Sequence, residues 1–134
     1  MIRRRIALAA VVLTLSGCAA VGGLGVAEQQ RPQVESDLLS DAQLSNIADI
    51  VTADSVRRLG SDDDGREFYV ASGDTQVCLI VVEDGAAGSG CSTGLPLTVE
   101  VPGAYHAELW PDSSASHDRP GVWLGDHLWL ANRP

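Results

Sequence analysis

Apolar residues recur every three or four positions in the segment SDAQLSNIADIV, residues 40–51. This spacing is typical of one face of an amphipathic helix. Either Ser40 or Asp41 can cap the start of that helix through a side-chain oxygen. The pattern therefore predicts one short helix over residues 41–51, with an apolar stripe that needs a sheet as its partner. The stripe consists of Leu44, Ile47, Ile50 and Val51.

The remainder of the chain alternates between β-type runs and turn residues. The run QVCLIVVED, residues 76–84, is apolar at most positions and rich in β-branched side chains. It therefore predicts a central strand that is covered on both faces. The segment LTVEV, residues 97–101, alternates between apolar and polar side chains as a half-exposed strand does. We predict an α+β fold: a small, mainly antiparallel β-sheet with one short N-terminal helix, spanning residues 40–134.

The last predicted hairpin, VWLGDHLWLA, carries two of the three tryptophans. A two-residue Gly-Asp turn would pair Trp123 with Leu128 and Val122 with Trp129. Directly opposite residues share a face of a sheet. This register therefore predicts that the two tryptophans point to opposite faces, so that at most one of them faces a given partner.

Four of the six aromatic residues fall in the last 30 positions of the chain. Aromatic side chains on an exposed sheet face can stack on sugar rings or anchor a protein partner. The alternative is that they complete the hydrophobic core. The candidate ligand contacts are Tyr105, Trp110, Trp123 and Trp129.

The first residues have the form of a secretory signal peptide. Three arginines in MIRRR precede an apolar run from Ile6 to Leu15. A ten-residue helix rises only about 15 Å and a bilayer core measures about 30 Å, so the run does not predict a transmembrane helix. The next positions, Leu15-Ser16-Gly17-Cys18, resemble the lipobox of bacterial lipoproteins.

This resemblance implies that the thiol of Cys18 receives a diacylglyceryl group and that signal peptidase cuts just before it. The chain is then divided into a signal peptide (1–17), the lipidated cysteine with a flexible tether rich in Gly, Ala and Gln (18–39), and one domain (40–134). The implied location is the extracytoplasmic face of the cell membrane. The general secretory and twin-arginine export routes both stay open.

Two further cysteines, Cys78 and Cys91, enclose twelve residues. Because Cys18 carries the lipid in this interpretation, these two remain as a pair in an oxidising compartment, and we predict a disulfide. The spacing is not CxxC, which favours a structural bridge over a redox pair. A bridge that closes so short a loop contributes about 3 kcal/mol in the chain-entropy model.

Charge excludes one class of partner. The full chain has a net charge of −9, and removal of residues 1–17 leaves six arginines against 18 acidic residues, or −12. Such a body is repelled by nucleic acid and by anionic lipid headgroups. The chain contains nine arginines and no lysine, which is typical of a high-GC genome. The order of its strands and turns is similar to small exported proteins of high-GC Gram-positive bacteria, a resemblance that implies no activity.

The other polar clusters lack the spacing that catalytic or metal sites need. The acids in SDDDG are consecutive and predict a hairpin turn, whereas a calcium loop uses alternate positions. The histidines show no zinc-type pairing and are interpreted as surface or turn residues. The serine-rich loop PDSSASHDRPG contains no GxSxG elbow of the kind that hydrolases use. The glycine-rich loop GAAGSG lacks the lysine of a phosphate-binding loop. These residues are Asp62, Asp63, Asp64, His106, His117, His127, Ser113, Ser114 and Ser116.

Together these features predict a membrane-anchored lipoprotein that acts as a non-catalytic binding or accessory module of the cell envelope. We expect no metal, no cofactor and no enzymatic activity. Its partner is expected to be another envelope protein. The alternative is a cell-wall glycan bound by the C-terminal aromatics, and a small envelope hydrolase is the third hypothesis.

Overall fold

The computed structural model describes residues 26–111 and 117–131. Eight strands form two four-stranded antiparallel sheets, with the orders β1-β2-β3-β4 and β5-β6-β8-β7. No helix among these residues is long and apolar enough to cross a membrane. The strands are β1 (Arg57–Ser61), β2 (Glu67–Ser72), β3 (Val77–Glu83), β4 (Ala86–Ser92), β5 (Leu97–Val101), β6 (Tyr105–Leu109), β7 (Val122–Leu124) and β8 (Leu128–Leu130).

The prediction of a mainly antiparallel β fold is confirmed, but the prediction of a single sheet is wrong. Strand β3 lies inside the first sheet and is covered on both faces, as its apolar run predicts. One of those faces, with Leu79 at its centre, packs against the second sheet, because a single short helix cannot cover both. The core between the sheets consists of Val26, Phe68, Val70, Val77, Leu79, Val81, Leu97, Ala107, Leu109, Leu128 and Leu130.

The predicted helix over 41–51 is much shorter in the structure. Helix α1 spans Asp41–Ser45 and turns follow it. Ser40 does cap it: its Oγ accepts from the backbone N–H of Gln43 at 3.2 Å. The helix ends early because the Ser45 hydroxyl bonds to the carbonyl of Ala42, a local bond that competes with helix propagation.

The apolar stripe predicted for that helix still covers the outer face of the first sheet. Ile47 and Val51 are buried there, Leu44 is partly buried, and Ile50 is exposed. This second core consists of Leu39, Ile47, Val51, Val56, Tyr69, Ala71, Cys78, Ile80 and Val82. The three other helical elements of the described residues are short 3-10 turns, at Ala27–Gln30, Glu35–Asp37 and Ala53–Ser55.

Residues 26–39, which we call the N-terminal strap, are packed on the domain. The flexible tether predicted for 18–39 is therefore wrong over this part. Val26 is buried between the sheets, Leu39 is buried in the second core, and the Asp37 carboxylate is fully buried. Because Asp37 accepts a hydrogen bond from the backbone N–H of Arg58 at 2.7 Å, the strap is fastened directly to β1. Residues 18–25 and the predicted signal peptide lie outside the described residues.

The predicted disulfide is present. Cys78 of β3 and Cys91 of β4 are directly opposite each other, and their sulfur atoms are 2.03 Å apart. Cys78 is completely buried in the second core. The bridge therefore ties an outer strand of the first sheet to the interior strand beside it.

Candidate ligand-binding face

Both hairpin tryptophans lie on the same face of the second sheet. The observed register pairs Trp123 with Trp129 and Leu124 with Leu128. The loop therefore has three residues, and the predicted two-residue turn, with tryptophans on opposite faces, is wrong. His127 lies in this loop, and its side chain is buried, 3% exposed. One additional loop residue reverses the facing of every side chain in the partner strand.

The third tryptophan joins them at the end of β6. Ala107 and Leu109 face the core, so the alternating positions His106, Glu108 and Trp110 project to the outer face. The indole Nε1 of Trp110 donates to Glu108 Oε1 at 3.2 Å. We call this surface the tryptophan face. It comprises Trp110, Trp123, Trp129, His106, Glu108 and, from the preceding loop, Arg119.

Tyr105 is not brought together with the other three aromatics. Its ring points to the opposite side of the sheet, where it meets Phe68 edge-on with ring centres 6.0 Å apart. The guanidinium of Arg66 lies 5.1 Å from the Tyr105 ring centre. Burial raises the pKa of the Tyr105 phenol. Tyr105 therefore occupies the rim of the core.

Arg119 and Pro120 fold over Trp129. The Arg119 guanidinium lies 3.5 Å from the centre of the Trp129 ring, and the indole Nε1 donates to the Pro120 carbonyl at 3.2 Å. Trp129 is only 7% exposed as a result, whereas Trp110 and Trp123 are half-buried. The ring surface available to a ligand therefore belongs to Trp110 and Trp123.

Glu108 is the electrostatic centre of the tryptophan face. Arg119 donates to its two oxygens at 3.0 and 3.2 Å, and the His106 Nε2 lies 2.9 Å from Oε2. Burial disfavours the charged carboxylate, but the hydrogen bonds from Arg119 and His106 outweigh it and hold the pKa of Glu108 below its usual value. A carboxylate engaged on this many sides serves to position its neighbours.

His106 bridges two carboxylates. Its Nε2 faces Glu108, and its Nδ1 lies 3.3 Å from Glu100 Oε2. The hydrogen bond to Glu108 and the weaker one to Glu100 outweigh desolvation and raise the pKa of the His106 imidazole. The protonated form therefore holds β5 and β6 together on this face, and this contact weakens as the pH rises through that pKa.

We expect nuclear magnetic resonance titration to show His106 retaining its proton to a higher pH than a free histidine. Glu108→Gln should lower that midpoint, because the larger of the two favourable contacts loses its charge. Glu67→Gln, on the first sheet, is the matched control and should leave it unchanged. A midpoint unaffected by Glu108→Gln would contradict this assignment of the shift.

Trp123 has an unmet hydrogen-bond donor. Its Nε1 is inaccessible to solvent and has no acceptor among the described residues. The ring of His117 lies against the Trp123 ring at an angle of 67°, with ring centres 4.2 Å apart. A buried donor without an acceptor costs about 1–3 kcal/mol, so a ligand oxygen that reached this donor would recover part of that cost.

His127 is a turn residue, as interpreted from the sequence, but its side chain is buried and has a structural role. Its Nδ1 lies 3.2 Å from the Trp110 carbonyl oxygen, and its Nε2 lies 3.2 Å from Glu28 Oε2. It therefore connects the N-terminal strap to the tryptophan face. Nothing in the spacing of its neighbours indicated this role, since Glu28 lies about a hundred residues earlier in the chain.

The acidic turn at Asp62–Asp64 forms a hairpin around an arginine. Arg66 is 5% exposed, and its guanidinium bonds to Asp62 at 3.0 Å, Asp64 at 3.2 Å and Glu83 at 3.1 Å. A cavity of about 320 Å³ opens beside this turn. Among residues 26–111 and 117–131, no group of three or more His, Cys, Asp or Glu side chains is arranged to hold a metal ion. Ser113, Ser114 and Ser116 lie outside the described residues.

No protein-family model, curated protein or solved structure matches the chain.

Proposed function

We propose that the protein is a lipid-anchored, extracytoplasmic binding or accessory module that presents the tryptophan face to its partner. The observation that supports this most strongly is the gathering of all three tryptophans on one sheet face, two of them with ring surface still accessible. Tryptophan is the residue type most enriched at the energetic centres of interfaces. A face fixed by Glu108, His106 and Arg119 is also preorganised, which lowers the entropic cost of binding.

The lipobox resemblance at Leu15–Cys18 supports the anchor. Because Val26 is fixed in the core, only eight residue steps separate it from Cys18. Eight residue steps span at most about 28 Å even when fully extended. The domain is therefore held close to the lipid headgroups.

We expect Cys18→Ala to release the protein from membranes or to leave it as an uncleaved precursor, because the acyl chains and the cleavage signal both depend on that thiol. Ser16→Ala, which keeps a small residue in the lipobox, is the matched control and should be processed normally. Membrane fractionation and intact mass measure both. A Cys18→Ala protein that is still processed and membrane-bound would exclude the anchor.

A cell-wall glycan is the second candidate ligand. It is favoured by the shared face of Trp110 and Trp123, because pyranose rings stack on indole rings while nearby charged groups bind the sugar hydroxyls. Glu100, which lies 3.3 Å from His106 of the tryptophan face, supplies such a group. Against this, Arg119 already occupies the ring of Trp129.

We expect Trp123→Ala to weaken binding to its partner, glycan or protein, by at least about tenfold, since truncating a central aromatic contact costs about 2 kcal/mol or more. Val122→Ala is the matched control: it lies on the same strand, is 49% exposed and points to the other face. Co-sedimentation with purified cell-wall material distinguishes the two classes of ligand. If Trp123→Ala and Val122→Ala were retained equally on the cell-wall material, a glycan ligand of the tryptophan face would be excluded.

A further inference from the structure

Strand β4 forms an open edge of the first sheet. It pairs with β3 in unbroken register over seven residues, from Ala86 to Ser92, and no strand pairs with its other side among the described residues. At every second residue of β4, the backbone N–H and C=O groups therefore point away from β3, toward the open side of the sheet. Such an edge is a template for another strand.

The other edge of the first sheet is obstructed. Strand β1 has a register irregularity between Arg58 and Gly60, which interrupts regular pairing. The N-terminal strap also lies against this strand, where the carboxylate of Asp37 already accepts from the N–H of Arg58. An incoming strand would have to displace the strap.

The edges of the second sheet are also unsuitable for pairing. Strand β7 has only three residues. Strand β5 has five, lies between Pro96 and Pro102, and carries the charge of Glu100. Short strands, prolines and charges are the usual means by which proteins protect sheet edges.

Strand β4 has none of these features. Its sequence, AAGSGCS, contains no proline and no charge, and its pairing contains no bulge. Gly90 packs closely against Val99 of β5, so this part of the inner face of the strand is covered. A side chain at Gly88 would meet nothing within 4 Å. A larger side chain can therefore be introduced at this position without a clash.

We propose that β4 pairs antiparallel with β4 of a second copy of this chain, joining two four-stranded sheets into one of eight strands. The charge distribution favours this partner. Glu83 and Asp84 lie at one end of β4, whereas Ser92 and Thr93 at the other end are uncharged. Antiparallel pairing places each acidic tip beside the neutral end of the partner, so the two tips are about 24 Å apart, well beyond the screening length of about 8 Å.

The resulting dimer is weak in dilute solution. A pair of seven-residue strands with small side chains buries less than the roughly 1,000 Å² expected of a stable interface. Two-dimensional confinement of lipid-anchored copies would raise their effective concentration and favour pairing without any new contact. The pairing itself does not depend on the anchor, so it can be tested on the mature chain alone.

The test is sedimentation of the mature chain from about 10 μM to about 1 mM, combined with amide hydrogen exchange at both ends of that range. We expect self-association, with exchange of the β4 amides slowed at high concentration and exchange of the β5 amides unchanged. Gly88→Lys should weaken association at least tenfold, because like charges then meet across the two-fold axis. Thr98→Lys, at an exposed position of edge strand β5, is the matched control and should associate as the unmodified chain does.

Gly88→Glu provides a second variant and should weaken association as Gly88→Lys does, since the repulsion is independent of the sign of the charge. Melting curves establish that each variant is folded. A chain that stays monomeric at about 1 mM would overturn the proposal. Equal weakening of association by Gly88→Lys and Thr98→Lys would also overturn it. The same holds if the β4 amides become protected only when a different protein is added.

Discussion

Replacement of Asp37 by asparagine is expected to lower the free energy of unfolding by about 3 kcal/mol. The Asp37 carboxylate is completely buried and accepts from Arg31 at 2.6 and 2.7 Å. It also accepts from the backbone N–H groups of Val34 at 2.8 Å and Arg58 at 2.7 Å. Asparagine has nearly the same shape but removes the charge and offers one acceptor oxygen instead of two, so some of these donors lose their partner.

The same carboxylate gives the domain an acid-sensitive element. Hydrogen bonds from Arg31 outweigh the effect of burial and hold the pKa of Asp37 well below its usual value near 3.8. A lowered folded-state pKa contributes stability that is present above the unfolded-state value and is lost as the pH falls below it. The unmodified protein should therefore lose this contribution progressively below about pH 4, whereas Asp37→Asn should show a shallower loss.

Urea unfolding at neutral and acidic pH measures both effects. Asp63→Asn, in the exposed tip of the β1–β2 hairpin, is the matched control and should unfold as the unmodified protein does. Equal unfolding midpoints for Asp37→Asn and Asp63→Asn would contradict the role assigned to the N-terminal strap.

Removal of the Cys78–Cys91 bridge is expected to have an effect of similar size, about 3 kcal/mol in the chain-entropy model. The two cysteines are 13 positions apart, so the bridge restricts a short loop of the unfolded chain. Because Cys78 is fully buried in the second core, its replacement also leaves a small packing defect. Unfolding of a Cys78→Ala, Cys91→Ala double variant should therefore occur at lower urea.

Reduction of the unmodified protein separates the bridge from the packing defect, since it breaks the bond and keeps both sulfur atoms. We expect reduction to cause most of the loss, and addition of reductant to the double variant to cause none. Unfolding curves of the unmodified protein that coincide with and without reductant, after thiol titration has confirmed reduction, would contradict this account.

The parts of the fold that the sequence predicted are those with a strong local signal. The apolar run of β3 indicates burial on both faces, whichever strands lie beside it. Ser40 caps α1 by accepting from the backbone N–H of Gln43, only three residues away. The predicted disulfide followed from the number of cysteines and is present. These features depend on short-range chemistry, which a pattern of residues records directly.

The parts that were wrong depend on contacts between distant residues. Arg31 and Asp37 resemble ordinary surface charges in a Gly- and Gln-rich segment, and contacts with distant residues such as the N–H of Arg58 reveal that the segment is docked. The division into two sheets depends on which apolar faces meet, and residue spacing does not encode that. Neither feature has a local signature.

The tryptophan face was only half predicted. Trp110, Trp123 and Trp129 were named as candidate contacts, but a loop longer by one residue reversed the expected facing of Trp129. That loop length depends on His127, which is held by Glu28 and the Trp110 carbonyl. The residues of the site were therefore visible in the sequence, whereas their arrangement depended on a contact with the N-terminal strap.

The most direct test of the proposed binding role is photocrosslinking on intact cells from position 98. Thr98 is exposed and lies directly opposite Glu108, beside the tryptophan face. We predict one dominant crosslinked envelope product, protein or glycan. This product should disappear in the Trp123→Ala background, and a crosslinker at exposed position 63 should not form it. A product of equal yield from both positions, or one that persists in the Trp123→Ala background, would contradict the proposal that this face binds the partner.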